Sequence, residues 1–222
     1  MRTASRLNPS LCNAAVSDLF DGEVRSQKTR TKPVQVQIVL WMIGTAARPD
    51  AILGLSRAQI DLDRGIVHLN PPGREQTKKY RPTVRLPPTL RAFVGDGTYI
   101  LNYRGRSVDS IRTSWREQRR RCGFDETVNP YSLRHTMARH MRASSVPAWE
   151  VAAQLGHTQP GMAMSEVYAP YDPSYLSKAV EALDSYPKML LTPPSERPLT
   201  LPVRCQSGSG ALSQALVNMA HR

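Results

Sequence analysis

Apolar residues after Pro33 fall at Val36, Val39, Leu40, Ile43 and Ala47. Steps of three and four place them on one face of a helix, so residues 33–47 are predicted to form a buried amphipathic helix. Pro49 and Asp50 supply first-turn residues for a second helix through Leu55, with Arg48 at the junction. The period then shortens. Ile60-Asp-Leu62 and Ile66-Val-His-Leu69 flank Asp63-Arg64-Gly65, the form of two short strands around a glycine-containing turn. Thr83-Val-Arg-Leu86, closed by Pro87-Pro88, offers a third strand, and the polar run 71–81 between them reads as an exposed basic hairpin tip.

Helical spacing returns downstream. Val108, Ile111, Trp115 and Cys122 make one stripe, with Arg112, Arg116, Arg119, Arg120 and Arg121 over the remaining surface and Gly123 placed to end the helix. Asn129 and Pro130 lead into a helix that holds Arg134, with Ser132 as its expected N-cap. Residues 147–155 form another short helix, and Gly156 suits its C-terminal turn, leaving His157 just outside. Asp172-Pro173 opens a last helix through Tyr175, Leu176, Ala179, Val180 and Leu183. The expected architecture is α+β, mainly helical, with a small three-stranded antiparallel sheet at the edge of the helical body. Residues 1–32 are expected to be a basic connector and 33–185 the folded domain. Residues 186–222, with Pro187, Pro193, Pro194, Pro198, Pro202 and Ser207-Gly-Ser-Gly210, are expected to be a disordered tail.

Charge narrows the partner. Thirty Lys and Arg against 18 Asp and Glu give a net +12, with a pI near 10.1, which favours a polyanion, nucleic acid first, over an acidic small molecule. Cys12, Cys122 and Cys205 are odd in number and widely spaced, against a disulfide framework or a zinc site. The opening residues lack the apolar core of a signal peptide, and the apolar run 38–43 falls far short of the ~18 residues needed to span a bilayer. A reducing intracellular compartment, with no membrane partner, is the expectation.

The chemistry-bearing residues are Tyr131-Ser-Leu-Arg134-His135-Thr136, then Leu155-Gly156-His157, then Tyr168. A tyrosine with a pKa of about 10 is a poor nucleophile toward a phosphodiester, because negative charge repels both reactants. It needs cations on the phosphate, and an arginine makes paired hydrogen bonds to phosphate oxygens while staying charged at any working pH. Arg134 is one such residue.

This ordered set resembles the active-site block of the tyrosine recombinases, or phage-type integrases. The family pattern begins with a histidine where this chain has Tyr131. The segment 45–55 looks like the family's first arginine box, and the resemblance gives the second phosphate-binding arginine as Arg48. It places a lysine that protonates the leaving 5′-oxygen in the turn between the second and third strands; the Thr-Lys order favours Lys78, with Lys79 the alternative. His157 matches a histidine that donates a hydrogen bond to the phosphate and Tyr168 the nucleophile, although spacing alone leaves Tyr171 and Tyr175 open. The implied reaction forms a 3′-phosphotyrosyl enzyme and a free 5′-hydroxyl, with no cofactor and no metal. The implied partner is double-stranded DNA, with self-association on it, in the nucleoid-associated cytoplasm. Arg74, Lys79, Arg112, Arg116, Arg119 and Arg120 are the expected DNA-binding side chains. Thirty-two residues before Pro33 are too few for the family's N-terminal arm domain, so the chain is expected to be a catalytic domain alone. The competing reading is a catalytically inactive DNA-binding remnant; a type IB topoisomerase is a third, disfavoured because the motifs match the short integrase blocks.

Overall fold

The computed structural model describes residues 34–121, 124–157 and 171–192. Its axis is helix α1 (Val34–Thr45), in which every residue from Ile38 to Thr45 is buried. The sequence pattern predicted a one-sided helix, but Ile38, Trp41 and Met42, off the expected stripe, are as buried as those on it. A helix apolar all round is one that its neighbours surround. Those neighbours are α4 (Pro130–Ala143), α6 (Ser177–Leu191) and the 3-10 turn Pro88–Phe93. Gly44 admits that turn: a Cβ there would lie 2.8 Å from Leu90 Cδ1.

After α1 come α2 (Pro49–Leu53) and three strands, β1 (Ile60–Asp61), β2 (Ile66–His68) and β3 (Thr83–Arg85). They pair antiparallel in the order β1-β2-β3, with Val67 opposite Val84 on the buried face and His68 opposite Thr83. The predicted edge sheet is therefore present, each strand slightly shorter than expected. A second hairpin was not anticipated: β4 (Asn102–Tyr103) pairs with β5 (Arg106–Ser107) around Arg104 and Gly105, both at positive φ. Two positive φ values make the tight turn that matches strand twist, but Arg-Gly lacks the Asn-Gly or Asp-Gly signature that announces it.

Three boundaries differ from expectation, each for a local reason. Helix α3 runs Arg112–Arg121, so Val108 and Ile111 precede it; Cys122 and Gly123 lie outside the described residues. Helix α4 is capped by Asn129, with Ser132 as the reciprocal member of a capping box, because Pro130 occupies the first helical position. Helix α5 (Ala148–Leu155) has the predicted extent and glycine stop. Asp172 opens the 3-10 turn Pro173–Tyr175, accepting from Ser174 N at 2.7 Å, and α6 follows it as a separate helix.

Helix α6 does not stop near Ser185 but continues to Leu191 through Pro187. A proline inside a helix costs about 3 kcal/mol, and burial of Tyr186, Pro187 and Leu190 against the core offsets it. Two buried carboxylates fix this helix: Glu150 of α5 accepts from Ala179 N at 2.8 Å in its first turn, and Asp184 accepts from Thr89 N at 2.9 Å. The expected connector 1–32 and the tail beyond Thr192 lie outside the described residues. Among the described residues no helix is long and apolar enough to cross a membrane.

Candidate active site

Four segments converge where α1 ends: residues 46–48, the first turns of α4, the end of α5 and the β2-to-β3 loop. Ala46 sits at φ 52, a left-handed conformation that costs a residue with a side chain about 1–2 kcal/mol. The bend ends α1 and leaves the Ala46 carbonyl free of the helix. Arg134, only 4% exposed on the buried face of α4, donates from Nη1 to that carbonyl at 2.8 Å and from Nη2 to the carbonyl of Leu155, the last residue of α5. Both acceptors are carbonyls at helix C-termini, where unpaired oxygens and the negative end of the dipole attract a cation. Gln154 Nε2 adds a bond to the Thr45 carbonyl at 2.7 Å, locking α5 onto the same end of α1.

Carbonyls orient Arg134 without neutralising it. Among the described residues the ion pairs join Arg119 to Glu126, Arg120 to Glu117 and Lys188 to Asp184; neither Arg134 nor Arg48 has a carboxylate partner. Burial, and then the neighbouring charge of Arg48, lower the Arg134 pKa to about 10, opposed by the neighbouring phenol of Tyr131. The guanidinium stays protonated at neutral pH, but strained by desolvation and repulsion. A bound anion would relieve both.

Arg48, half-buried, donates from Nη1 to the carbonyl of Tyr80 at 2.6 Å, its one side-chain hydrogen bond among the described residues. That bond ties the β2-to-β3 loop to the site. The end of α5 meets the same loop. Gly156 N bonds Ala153 O and His157 N bonds Ala152 O at 2.8 Å, the paired closure of a Schellman motif. Gly156 lies at φ 63, and a Cβ there would meet Pro82 Cδ at 2.7 Å and the Tyr80 oxygen at 3.0 Å. Glycine is required twice over, for the turn and for the approach. His157 is thereby thrown out beside the two arginines. His157 is exposed, yet partial desolvation, then the charges of Arg134 and Arg48, lower its pKa from 6.5. Imidazole is thus neutral at pH 7 and able to donate a hydrogen bond.

Tyr131 is 38% exposed, its ring 5.9 Å from the Arg134 guanidinium carbon and edge-on to His135 at 5.0 Å. The fold therefore gathers Arg48, Tyr131, Arg134 and His157. Lys78 and Lys79 are exposed in the loop that Arg48 holds, within two residues of Tyr80. Arg74 is partly spent on internal bonds, to Asn70 Oδ1 at 2.6 Å and Thr77 Oγ1 at 3.3 Å. On α3, Arg112 and Arg116 are exposed, whereas Arg119 and Arg120 are ion-paired. Tyr168 lies outside the described residues. Its rivals do not: Tyr175 is exposed, and Tyr171 is half-buried with its hydroxyl donating to the Thr83 carbonyl at 2.6 Å. A phenol committed to a strand backbone is poorly placed to attack. The residue that sequence reading missed is Arg81, next to Tyr80 and electrostatically coupled to Arg48, Arg74 and Asp50.

Comparison with known proteins gives a consistent picture. The Phage integrase family matches residues 13–173. Tyrosine recombinase XerD of Chlorobaculum tepidum is 23% identical over 179 residues, covering 73% of this chain and 57% of that protein. Tyrosine recombinase XerA of Thermococcus kodakarensis is 26% identical over 164 residues, covering 69% and 56% respectively. The chain thus spans little more than half the length of these relatives.

Proposed function

The chain belongs to the phage integrase family, and from that premise we propose that it is a site-specific DNA recombinase whose phosphotyrosyl chemistry is performed by the site at the end of α1. The observation that carries this reading is the pair Arg48 and Arg134, held by backbone carbonyls and left, among the described residues, without a carboxylate partner. Two fixed cations suit a phosphodiester, whose charge grows at the non-bridging oxygens as the attacking oxygen bonds.

In this mechanism Arg48 and Arg134 grip those oxygens. His157, neutral before DNA arrives, donates a third bond, and Tyr131 braces Arg134 from the solvent side. Tyr168 attacks phosphorus, forming the 3′-phosphotyrosyl bond as the bond to the 5′-oxygen breaks, and Lys78 gives that oxygen its proton. The released 5′-hydroxyl then attacks a second phosphotyrosyl bond and joins the strands. Bond energy is conserved throughout, so the exchange needs no nucleotide.

Duplex DNA is the substrate and copies of the chain assemble on it, acting on the nucleoid. A DNA-binding remnant is the second reading, favoured by the phenol at position 131, which is a weaker base near neutral pH than imidazole. A nicked suicide duplex bearing a target found by in vitro selection separates the two. Recombinase chemistry gives a covalent adduct that maps to Tyr168 and vanishes in Tyr168→Phe with DNA binding retained. Binding without adduct would establish the remnant, and an adduct on Tyr175 would reassign the nucleophile.

A further inference from the structure

The β2-to-β3 loop touches the site on both sides of one residue. Tyr80 gives its carbonyl to Arg48, and Pro82 packs against Gly156, where even a Cβ would not fit. Arg81 lies between them. Its own backbone is bracketed by a single side chain: Gln76 Oε1 accepts from Arg81 N at 3.1 Å, and Gln76 Nε2 donates to Arg81 O at 2.9 Å. The position of Arg81 is therefore set by three independent contacts, with Arg48, with Gly156 and with Gln76. That is unusual definition for a residue at the end of a polar loop.

The side chain, by contrast, has nothing to hold among the described residues. Arg81 is half-buried, and no described residue accepts from any of the five N–H groups of its guanidinium. Burial and the charges of Arg74 and Arg48 disfavour the cation, and Asp50, exposed at the start of α2, opposes them in part. Unlike Arg74, which is partly spent on Asn70 and Thr77, the Arg81 guanidinium keeps all its donors, among the described residues, for an external anion.

We propose that Arg81 is a further DNA-contacting residue, which grips a phosphodiester neighbouring the one held by Arg48 and Arg134. This rests on the DNA-acting function proposed above. The loop then serves two ends: it presents Lys78 to the leaving group and, through Arg81, fixes the backbone alongside so that the reacting phosphate is held in register. A guanidinium suits the second task because it bonds two oxygens of one phosphate and stays charged.

The test is the salt dependence of binding, measured by fluorescence anisotropy on a labelled duplex, for the parent chain, Arg81→Gln and Arg81→Lys. Each lost phosphate contact lowers the slope of log affinity against log salt by about 0.9. Arg81→Gln is expected to show that loss, with Arg81→Lys keeping the parent slope and all three unfolding at closely similar temperatures. A role confined to shaping the loop would move the unfolding temperature and leave the slope intact, which would overturn the inference. A parent chain that binds normally while Arg81→Gln keeps its slope would remove this proposal alone. A parent chain that fails to bind DNA even at low salt would remove the proposed function with it.

Discussion

Two arginine-rich regions of this molecule meet opposite neighbours. On α3 the arginines stand on a surface helix with acids in reach, Glu117 2.6 Å from Arg120 and Glu126 3.8 Å from Arg119. At the end of α1, Arg134 is buried more deeply than Arg112, Arg116, Arg119 or Arg120, and among the described residues it meets carbonyls, Tyr131, His157 and the like charge of Arg48, with no carboxylate partner. A surface pair is worth about 0–1 kcal/mol, whereas a desolvated cation without a counter-ion is costly. Among the described residues, acids pair with Arg119 and Arg120, where imbalance would be cheap, and none pairs with Arg48 or Arg134, where it is expensive. The second region is thus the one shaped to receive an anion.

The sharpest way to break this comparison is to remove one arginine from each region. Arg134→Ala is expected to lower single-turnover adduct formation at least about 10³-fold, the upper range for one donor to a developing oxyanion, because a charge is lost with the bonds. Arg120→Ala removes a residue already paired with Glu117 and should change the rate by less than about threefold. Equal losses would show that only total charge matters.

Next in size is the glycine that closes the site. Gly156→Ala forces a side chain into the left-handed region and against Pro82, and is expected to cost about 1–3 kcal/mol in denaturant unfolding. It should also weaken the hold of Arg48 on the loop, slowing cleavage more than it weakens binding. A neutral effect on both would mean that the loop contact is slack.

The motif residues of this site were legible in the sequence, and their supports were not. Arg48, Arg134 and His157 were found through ordered motifs, and Gly156 through helix-stop chemistry. Their partners are the carbonyls of Ala46, Tyr80 and Leu155, and backbone acceptors carry no residue-type signal. Arg81 was passed over because one arginine in a basic loop looks like any other; only the Gln76 bracket and the Tyr80 and Pro82 contacts distinguish it. The same limit explains the fold. The three-stranded sheet followed from alternation and turn residues, whereas the reach of α6 past Pro187 depends on tertiary burial that no local breaker rule contains. Asn129 as the cap of α4 was within reach, since proline at the first helical position points to the residue before it.

A smaller effect comes from Tyr131. Tyr131→Phe removes a neutral hydroxyl beside Arg134 while keeping the ring that stands over its guanidinium, and should cost no more than about 10²-fold in cleavage rate. Tyr131→His should be tolerated and raise cleavage near neutral pH. A Tyr131→Phe protein as inactive as Arg134→Ala would give the phenol a primary role.

Smaller still is a pH effect outside the site. His140 is buried against Tyr186 and shares a hydrogen bond with the Ala182 carbonyl at 2.9 Å; burial lowers its pKa from 6.5. Below that value the unfolded chain binds more protons than the folded one, so stability is full above about pH 6.5 and falls as pH drops through the lowered folded value. Thermal unfolding from pH 7.5 downward checks this. His140→Gln should flatten the part of the decline that His157, lowered in the same direction, does not cause.

The central claim is that the cations at the end of α1 are left unbalanced so that a phosphate can balance them. The most direct test is the rise in unfolding temperature that sulfate produces over chloride at matched ionic strength and pH 7.5, where sulfate is a fixed dianion. The account predicts equal rises in the parent chain and in Arg120→Gln, and a rise largely lost in Arg48→Gln and Arg134→Gln. The same rise in all four proteins would contradict it, because sulfate would then be acting on the surface at large.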